Sequence, residues 1–498
     1  MPPVDHSQDL YAVLGLSPTA SLQDVKSSYR AAARRFHPDI NSSEGAAIQF
    51  REIISAYETL SDDHRRRNYD MMRQRLEQDP LYFSLNVTMS KRTLPVLSES
   101  QVLYILTQIQ PNKDLGGADR QRTPINLVLV LDRSKSMRGA RLDRVKLSAH
   151  QIIDQLSRED YLSVVAFSDK ADPIIESITV TDKAALKSMV NIISANGGTE
   201  IYQGLSEAMR QVRKHRNTDY VNHIILLTDG ETFDNKDLSL DLANEAAKYG
   251  IGISTMGIGD QWNDAFLDEI ASRTGGHCAF INSPGAVVRF LNDRVRSLGS
   301  SFAERLSISI APDPDVELES VFKLMPNPQP INIKPQPILL GALEYNRPIS
   351  ILIQLLVKAT PQPAFRTLVR LEVNGDILPY RRQNYKVYSD LSVEVAQNPA
   401  IEDPPRNILD ALGKLTLYRM QEKAQSAVRA GRVEEATTRL QNLATRLLDA
   451  GYDDLAQTVS KEVAQLKQTQ TLSEEGRKTI KFGTRMLLSS SDDKQQGQ

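Results

Sequence analysis

Between residues 123 and 298 short apolar runs alternate with amphipathic stretches, and few folds accept that pattern. The runs are Ile125 to Leu131, Leu162 to Phe167, Ile224 to Thr228, Ile251 to Ile258 and Ala279 to Asn282. Helical stretches lie between them: Leu142 to Leu156, Lys183 to Ile193, Tyr202 to Arg213, Leu238 to Lys248 and Ala265 to Ser272. Runs apolar on both faces and separated by helices predict a mostly parallel sheet covered on both sides. Open sheets of this kind bind ligands beyond the carboxyl ends of their strands.

Three polar clusters fall at that edge. Asp132-Arg133-Ser134-Lys135-Ser136-Met137 follows the first run, Asn196-Gly197-Gly198-Thr199 precedes a helix, and Thr228-Asp229-Gly230 ends the run from Ile224. Together they offer carboxylate and hydroxyl oxygens with no sulfur or imidazole, the donor set of a hard divalent cation. Alternation of residues 132, 134 and 136 lets one loop aim three oxygens at one point, and the glycines allow a close approach. This stretch resembles the von Willebrand factor A domain and its metal-ion-dependent adhesion site. The resemblance implies Mg2+ (or Mn2+/Ca2+) held by Asp132, Ser134, Ser136, Thr199 and Asp229, with a position left for the acidic side chain of a protein partner. Lys135 stands where that family usually has glycine, which predicts backbone strain. Arg133 and Lys135 would lie beside the incoming carboxylate.

At the amino end, Ser21 and Asp24 form a capping-box pair ahead of an apolar stripe of Val25, Tyr29, Ala32, Ala33 and Phe36. Lys26, Arg30 and Arg34 follow at four-residue spacing as a cationic ridge, whose self-repulsion points to an acidic partner. Pro38 stops that helix, and Ala47, Phe50, Ile54 and Tyr57 start the period again. Two antiparallel helices joined by a loop exposing His37 and Asp39 follow. Residues Asp9 to Asp70 resemble the J domain of DnaJ-type co-chaperones, through Asp9-Leu10-Tyr11-Ala12-Val13-Leu14-Gly15-Leu16, Tyr29-Arg30, His37-Pro38-Asp39 and Ala56-Tyr57-Glu58-Thr59-Leu60. The resemblance implies that His37, Pro38 and Asp39, with Lys26, Tyr29, Arg30 and Arg34, dock on a DnaK-type chaperone and stimulate its ATPase. Ala31 stands where the family often has a basic residue.

Segments on either side of the central region alternate with period two: Leu81 to Thr88 and Val102 to Gln110 before it, and Leu306 to Ala311, Ile338 to Leu343, Ile349 to Val357, Arg366 to Val373 and Lys386 to Val395 after it. Prolines at 312, 314, 326, 328, 330, 361 and 363 punctuate the later ones. Strands on both sides predict a β-sandwich with the α/β domain inserted. From Pro405 the pattern turns helical, and two or three helices in an antiparallel bundle are expected, with Gly431 and Gly451 at helix ends.

The expected fold is therefore multidomain: an all-α J domain (5–75), a β-sandwich in two parts (81–120 and 301–398), a doubly wound α/β domain (123–298), a helical bundle (403–488) and a disordered tail (489–498). Lysine plus arginine (60) nearly balances aspartate plus glutamate (62), so no overall field favours nucleic acid. One cysteine, Cys278, excludes an internal disulfide, no apolar run reaches membrane-spanning length, and no signal peptide is evident, so a cytoplasmic location is expected. No phosphate loop, nucleophile elbow or zinc helix motif is present, so no catalytic residue is expected; His223 and the His277-Cys278 pair read as core. The expected function is a co-chaperone whose metal domain selects an unidentified client or site. The alternative is a metal-dependent scaffold that the J domain only tethers to the chaperone.

Overall fold

Ser21 Oγ accepts from the Asp24 N–H at 3.2 Å while the Asp24 carboxylate accepts from the Ser21 N–H at 2.8 Å, so a complete capping box starts the helix Leu22–Phe36. His37 then turns extended, at φ −62° and ψ 133°, as a residue before proline must. The computed structural model describes residues 9–76, 80–112, 115, 122–231, 235–281, 284–400 and 402–488; the expected tail 489–498 and residues 5–8 lie outside these. The chain folds into two compact units, Met1–Gln121 with Phe302–Leu409, and Arg122–Ser301 with Asp410–Gln498.

The first unit is a helical domain and a β-sandwich. One sheet has the order Phe83–Met89, Gln101–Pro111, Ile349–Val357, Val316–Met325, Gln329–Ile331. The other runs Ile338–Glu344, Ser301–Pro312, Ala364–Ile377, Arg382–Ala396, Thr93–Pro95. Gln101–Pro111 pairs antiparallel with Ile349–Val357, Leu106 opposite Leu352, so the α/β domain is an insert within the sandwich. The strand Val316–Met325 is not legible in the sequence because its register shifts between Leu318 and Ser320, which breaks the period-two alternation.

The helical domain packs its Arg35-to-Glu52 side on the second sheet. Gly45 sits so close to the Ile310 carbonyl that no Cβ fits there, and Ala311 joins the helical core. Arg370 crosses the seam: Nη1 donates to the Val13 carbonyl at 2.8 Å, Nη2 pairs with Asp390 at 2.6 Å, and the guanidinium lies over Phe36. Arg35 answers from the helix with Asp313 and Asp390. Beside them Glu52, Glu372 and Lys386 form a buried cluster of two carboxylates on one ammonium, with Tyr388 donating to Glu52 at 3.2 Å and Gln49 to Glu372.

The second unit carries a six-stranded sheet in the order Ala171–Thr179, Tyr161–Phe167, Ile125–Asp132, Val221–Thr228, Gly252–Ile258, Cys278–Ile281. All neighbours are parallel except the first pair. That antiparallel edge strand was not expected; its register slips twice, and it contains Pro173, which an edge tolerates. Thr123 N donates to Gly299 O at 3.1 Å and Thr123 Oγ1 to Ser301 O at 2.8 Å, so the two ends of the insert lie together.

The C-terminal region holds four helices, Arg406–Arg429, Val433–Asp449, Asp453–Thr469 and Glu474–Leu487, not two or three. Gly431 and Gly451 do end helices, at φ +71° and +78°. The extra helix, Glu474–Leu487, buries the polar residues Lys478, Thr484 and Arg485 on its inner face, beside Gly476 and Ile480. Lys478 is fully buried, donating to the Trp262 carbonyl at 2.6 Å and to the Asp260 carbonyl at 2.5 Å, with its ammonium over the Trp262 ring. Arg477 and Lys481 take Asp264, and Arg485 takes Asp268 at both oxygens.

Burial first, and then the neighbouring Glu372 charge, push the Glu52 carboxyl up to about 7 against the opposing pull of Lys386. A carboxyl raised from 4.5 binds more protons in the folded state, so its contribution is full below pH 4.5 and is lost as pH rises through about 7. Chemical denaturation of the whole chain should therefore show stability falling by on the order of 1–3 kcal/mol from pH 5 to pH 8. Glu52→Gln leaves one carboxylate per ammonium and should flatten that slope; an unchanged slope would place the titration elsewhere.

Candidate functional site

The loop after strand Ile125–Asp132 is organised around Asp132. Its side chain is buried, with Oδ1 accepting from the Ser134 N–H at 2.7 Å and Oδ2 from the Thr228 hydroxyl at 2.6 Å. Burial pushes its carboxyl up to about 6, with these hydrogen bonds pulling the other way. Ser134 Oγ lies 2.9 Å from Ser136 Oγ, which donates to Asp229 Oδ1 at 2.7 Å. The Lys135 N–H donates to Gly197 O at 3.2 Å, tying the Gly197-Gly198 loop to this one. Thr199 closes the ring, because a Cβ on Gly230 would come 2.9 Å from its Oγ1. Asp132, Ser134, Ser136, Thr199 and Asp229 are thus brought to one edge of the sheet. Among the described residues no group of three or more His, Cys, Asp or Glu side chains could hold a metal. What converges here is an all-oxygen set with two carboxylates, which fits a hard cation and not a thiophilic one.

Two expectations need correction. Lys135 opens a single 3-10 turn, Lys135–Met137, and is not among the residues with positive φ, so it fits without strain where glycine was expected. Arg133 is turned away to Asp172 and is half-buried, leaving Lys135 alone of the two facing solvent at the site. Arg141, unmarked by any motif, instead donates from Nη1 to Asp229 Oδ2 at 2.6 Å. Asp229 is wholly buried while Arg141 is 44% exposed, so this pair offers a cation at the rim. Arg138, the residue after the 3-10 turn, is also exposed. Only its place in the first turn of the following helix Ala140–Gln155, close to Ser136 in sequence, could have signalled Arg141.

The second candidate site is the turn after Leu22–Phe36. His37 Nδ1 accepts from the Asp39 N–H at 3.2 Å and its ring sits edge-on to Phe50 at 5.1 Å, so the imidazole is oriented yet 43% exposed. Asp39 is 87% exposed. Lys26, Arg30 and Arg34 are exposed along the helix, while Tyr29 is half-buried and stacks on Tyr57 at 4.0 Å. The side that grips the sandwich is the other one.

Comparison with known proteins bears on both sites. Residues 9–70 match the DnaJ domain family and residues 126–293 the von Willebrand factor type A domain family. This chain joins a DnaJ domain to a von Willebrand factor type A domain. Residues 406–490 match a third family, the Sll0103-like C-terminal alpha-helical domain. The Chaperone protein DnaJ of Staphylococcus carnosus is 51% identical over 63 residues, 13% of this chain and 17% of that protein, so the similarity spans the DnaJ domain alone. Uncharacterized protein sll0103 of Synechocystis sp. is 29% identical over 382 residues, 74% of this chain and 89% of that one. Among solved structures, a von Willebrand factor type A protein from Catenulispora acidiphila has a TM-score of 0.65 at 15% identity, covering 81% of this chain and 96% of its own. The ArnB paralog VWA2 from Sulfolobus acidocaldarius reaches 0.55 at 14% identity, over 82% and 100%. These two share the fold.

His223 is a core residue whose Nε2 lies 2.9 Å from Ser254 Oγ, its pKa forced well down by burial. Cys278 is buried, and its thiol is pushed up to about 12. Arg141 occupies Asp229 Oδ2, so it would compete with a divalent cation held there. Arg141→Gln should therefore tighten Mg2+ binding in calorimetry by about tenfold, or about 1.4 kcal/mol. Without the cation the same variant should melt lower, since it leaves a buried carboxylate with no counter-ion, and Mg2+ should restore it.

Proposed function

We propose that this chain is a DnaJ-type co-chaperone that recruits and stimulates a DnaK-type ATPase chaperone, while its von Willebrand domain selects the client or site of action. The observation that carries this reading is the one-sided docking of the DnaJ domain. Arg35, Asn41, Gly45, Gln49 and Glu52 face the sandwich, whereas Lys26, Arg30, Arg34 and the His37-Pro38-Asp39 turn are left open. A cationic ridge held free on a rigid support steers an acidic surface toward it and fixes the orientation of the encounter. Pro38 holds the turn, Phe50 orients His37, and Asp39 projects to the partner.

In the von Willebrand domain, Asp132, Ser134, Ser136, Thr199 and Asp229 would hold Mg2+ or a similar divalent cation, which supplies a positive centre for an acidic side chain of the client. Lys135, Arg138 and Arg141 raise the local potential and offer charge-assisted hydrogen bonds to that carboxylate. The action proposed is recruitment and stimulation, with no reaction of the chain's own. Among the described residues no helix is long and apolar enough to cross a membrane, and the cytoplasm, where a DnaK-type partner resides, is the proposed location.

His37→Gln should leave the fold intact, since the ring's hydrogen bond and ring contact are with its own turn and Phe50, and should abolish stimulation of a DnaK-type ATPase in a steady-state assay. Stimulation equal to wild type would leave the chain a metal-dependent scaffold. Asp132→Ala should remove Mg2+ binding by calorimetry and keep ATPase stimulation within about twofold, because the two sites lie on separately folded domains.

A further inference from the structure

The sheet that carries the DnaJ domain has an outer face longer than the domain's grip on it. Val369, Leu371 and Val373 of Ala364–Ile377, and Leu391 and Val393 of Arg382–Ala396, lie in the sandwich core. Alternation turns the residues between them outward. Arg370, Glu372, Lys386, Tyr388 and Asp390 face out and bond to Val13, Gln49, Glu52 and Arg35 of the DnaJ domain. The last of these rows pairs Arg370 with Asp390. Beyond it the same face continues through Ser392 and Glu394, and Phe365 stands opposite Glu394. Phe365 is 79% exposed, more than any other large apolar side chain among the described residues.

The end of the grip nearest Phe365 is also where the His37-Pro38-Asp39 turn lies. Arg35, two residues before His37, donates from Nη1 to Asp390 at 2.8 Å and pairs with Asp313 as well. Asn41, two residues after Asp39, donates to the Pro312 carbonyl at 2.8 Å, and Pro312 stands opposite Val369 in the sheet. The turn is thus held between two anchors on the sandwich. Asp390 is four residues from Glu394 and Val369 is four from Phe365, so about 13 Å of strand separates each anchor from the Phe365 row. Ile40, between Asp39 and Asn41, is 57% exposed, which puts an apolar side chain at each end of that interval.

A protein seated on the turn covers about 800 Å2 of this chain, a patch about 30 Å across. A body of that size resting on His37 and Asp39 extends past both anchors onto the outer face. There it meets Phe365, and aromatic side chains covered in this way carry a large share of interface affinity. We propose that Phe365, with Ile40, is a second contact for the DnaK-type chaperone, made by the sandwich beside the turn. The inference rests on the proposed function above, since its occupant is the chaperone docked at His37. The chaperone surface so specified is acidic opposite Lys26, Arg30 and Arg34 and apolar opposite Ile40 and Phe365. An apolar contact outside the turn adds affinity and leaves the stimulating groups untouched.

Titration of the full chain into a steady-state ATPase assay of a DnaK-type chaperone tests it. Phe365→Ser should raise the concentration for half-maximal stimulation by about tenfold and keep maximal stimulation within about twofold. Phe365→Leu, which keeps an apolar side chain, should stay within about threefold of wild type. The loss in Phe365→Ser should be the same at low and high salt, whereas the loss in Arg30→Gln should shrink as salt rises. Half-saturation of Phe365→Ser at the wild-type concentration would overturn the sandwich contact and leave the co-chaperone reading standing. A wild-type chain that sediments as a dimer, with Phe365→Ser a monomer, would give the strip to a second copy and overturn it too. No stimulation by the wild type would overturn the co-chaperone reading, and this contact with it.

Discussion

Lys478 is a fully buried lysine in a helix whose inner face would otherwise look like solvent. Its ammonium would lose several kcal/mol of hydration with nothing in return, so the helix can rest only where acceptors wait, at the Asp260 and Trp262 carbonyls. Arg477, Lys481 and Arg485 repeat the condition one turn at a time against Asp264 and Asp268. Apolar burial would hold the helix to many surfaces; matched charges hold it to one register. That register sets Arg477 and Lys481 on Asp264, at the start of the helix Asp264–Ser272.

The first unit obeys the same requirement. Arg370 is nearly buried in the middle of a sheet, and its donors are satisfied only when Val13 and Asp390 are both in reach. Such pairs contribute little net stability over an apolar seam, because desolvation offsets most of the attraction. What they contribute is uniqueness of placement. Here placement is the functional matter, because the face of the DnaJ domain away from the sheet is the face with Lys26, Arg30, Arg34 and His37.

At the adhesion-site edge the buried charge is anionic, and its partners are of two kinds. Asp132 is met by hydrogen bonds from Ser134 and Thr228, while Asp229 is met by Ser136 and by the half-exposed arm of Arg141. An oxygen cluster satisfied in this way is organised before any ligand arrives, which lowers the ordering cost of binding.

The sequence by itself determined what depends on local pattern and short spacing. The strands of the parallel sheet, the capping box at Ser21, the helix stop at Pro38 and the three polar clusters all follow from residues within a few positions of one another. The insertion of the α/β domain was also legible, since alternating strands stood on both sides of it. Only tertiary structure decided the rest. The strands Val316–Met325 and Ala171–Thr179 are hidden by register shifts that cancel their alternation. The helix Glu474–Leu487 is hidden because its buried side is polar, and a lysine declares itself a core residue only when its acceptors are 216 and 218 positions away. The same holds at the site: Lys135 lost its expected strain and Arg141 gained its role through contacts with distant segments, Gly197 and Asp229. Periodicity records which face is apolar, and it carries no record of where a buried charge will find its partner.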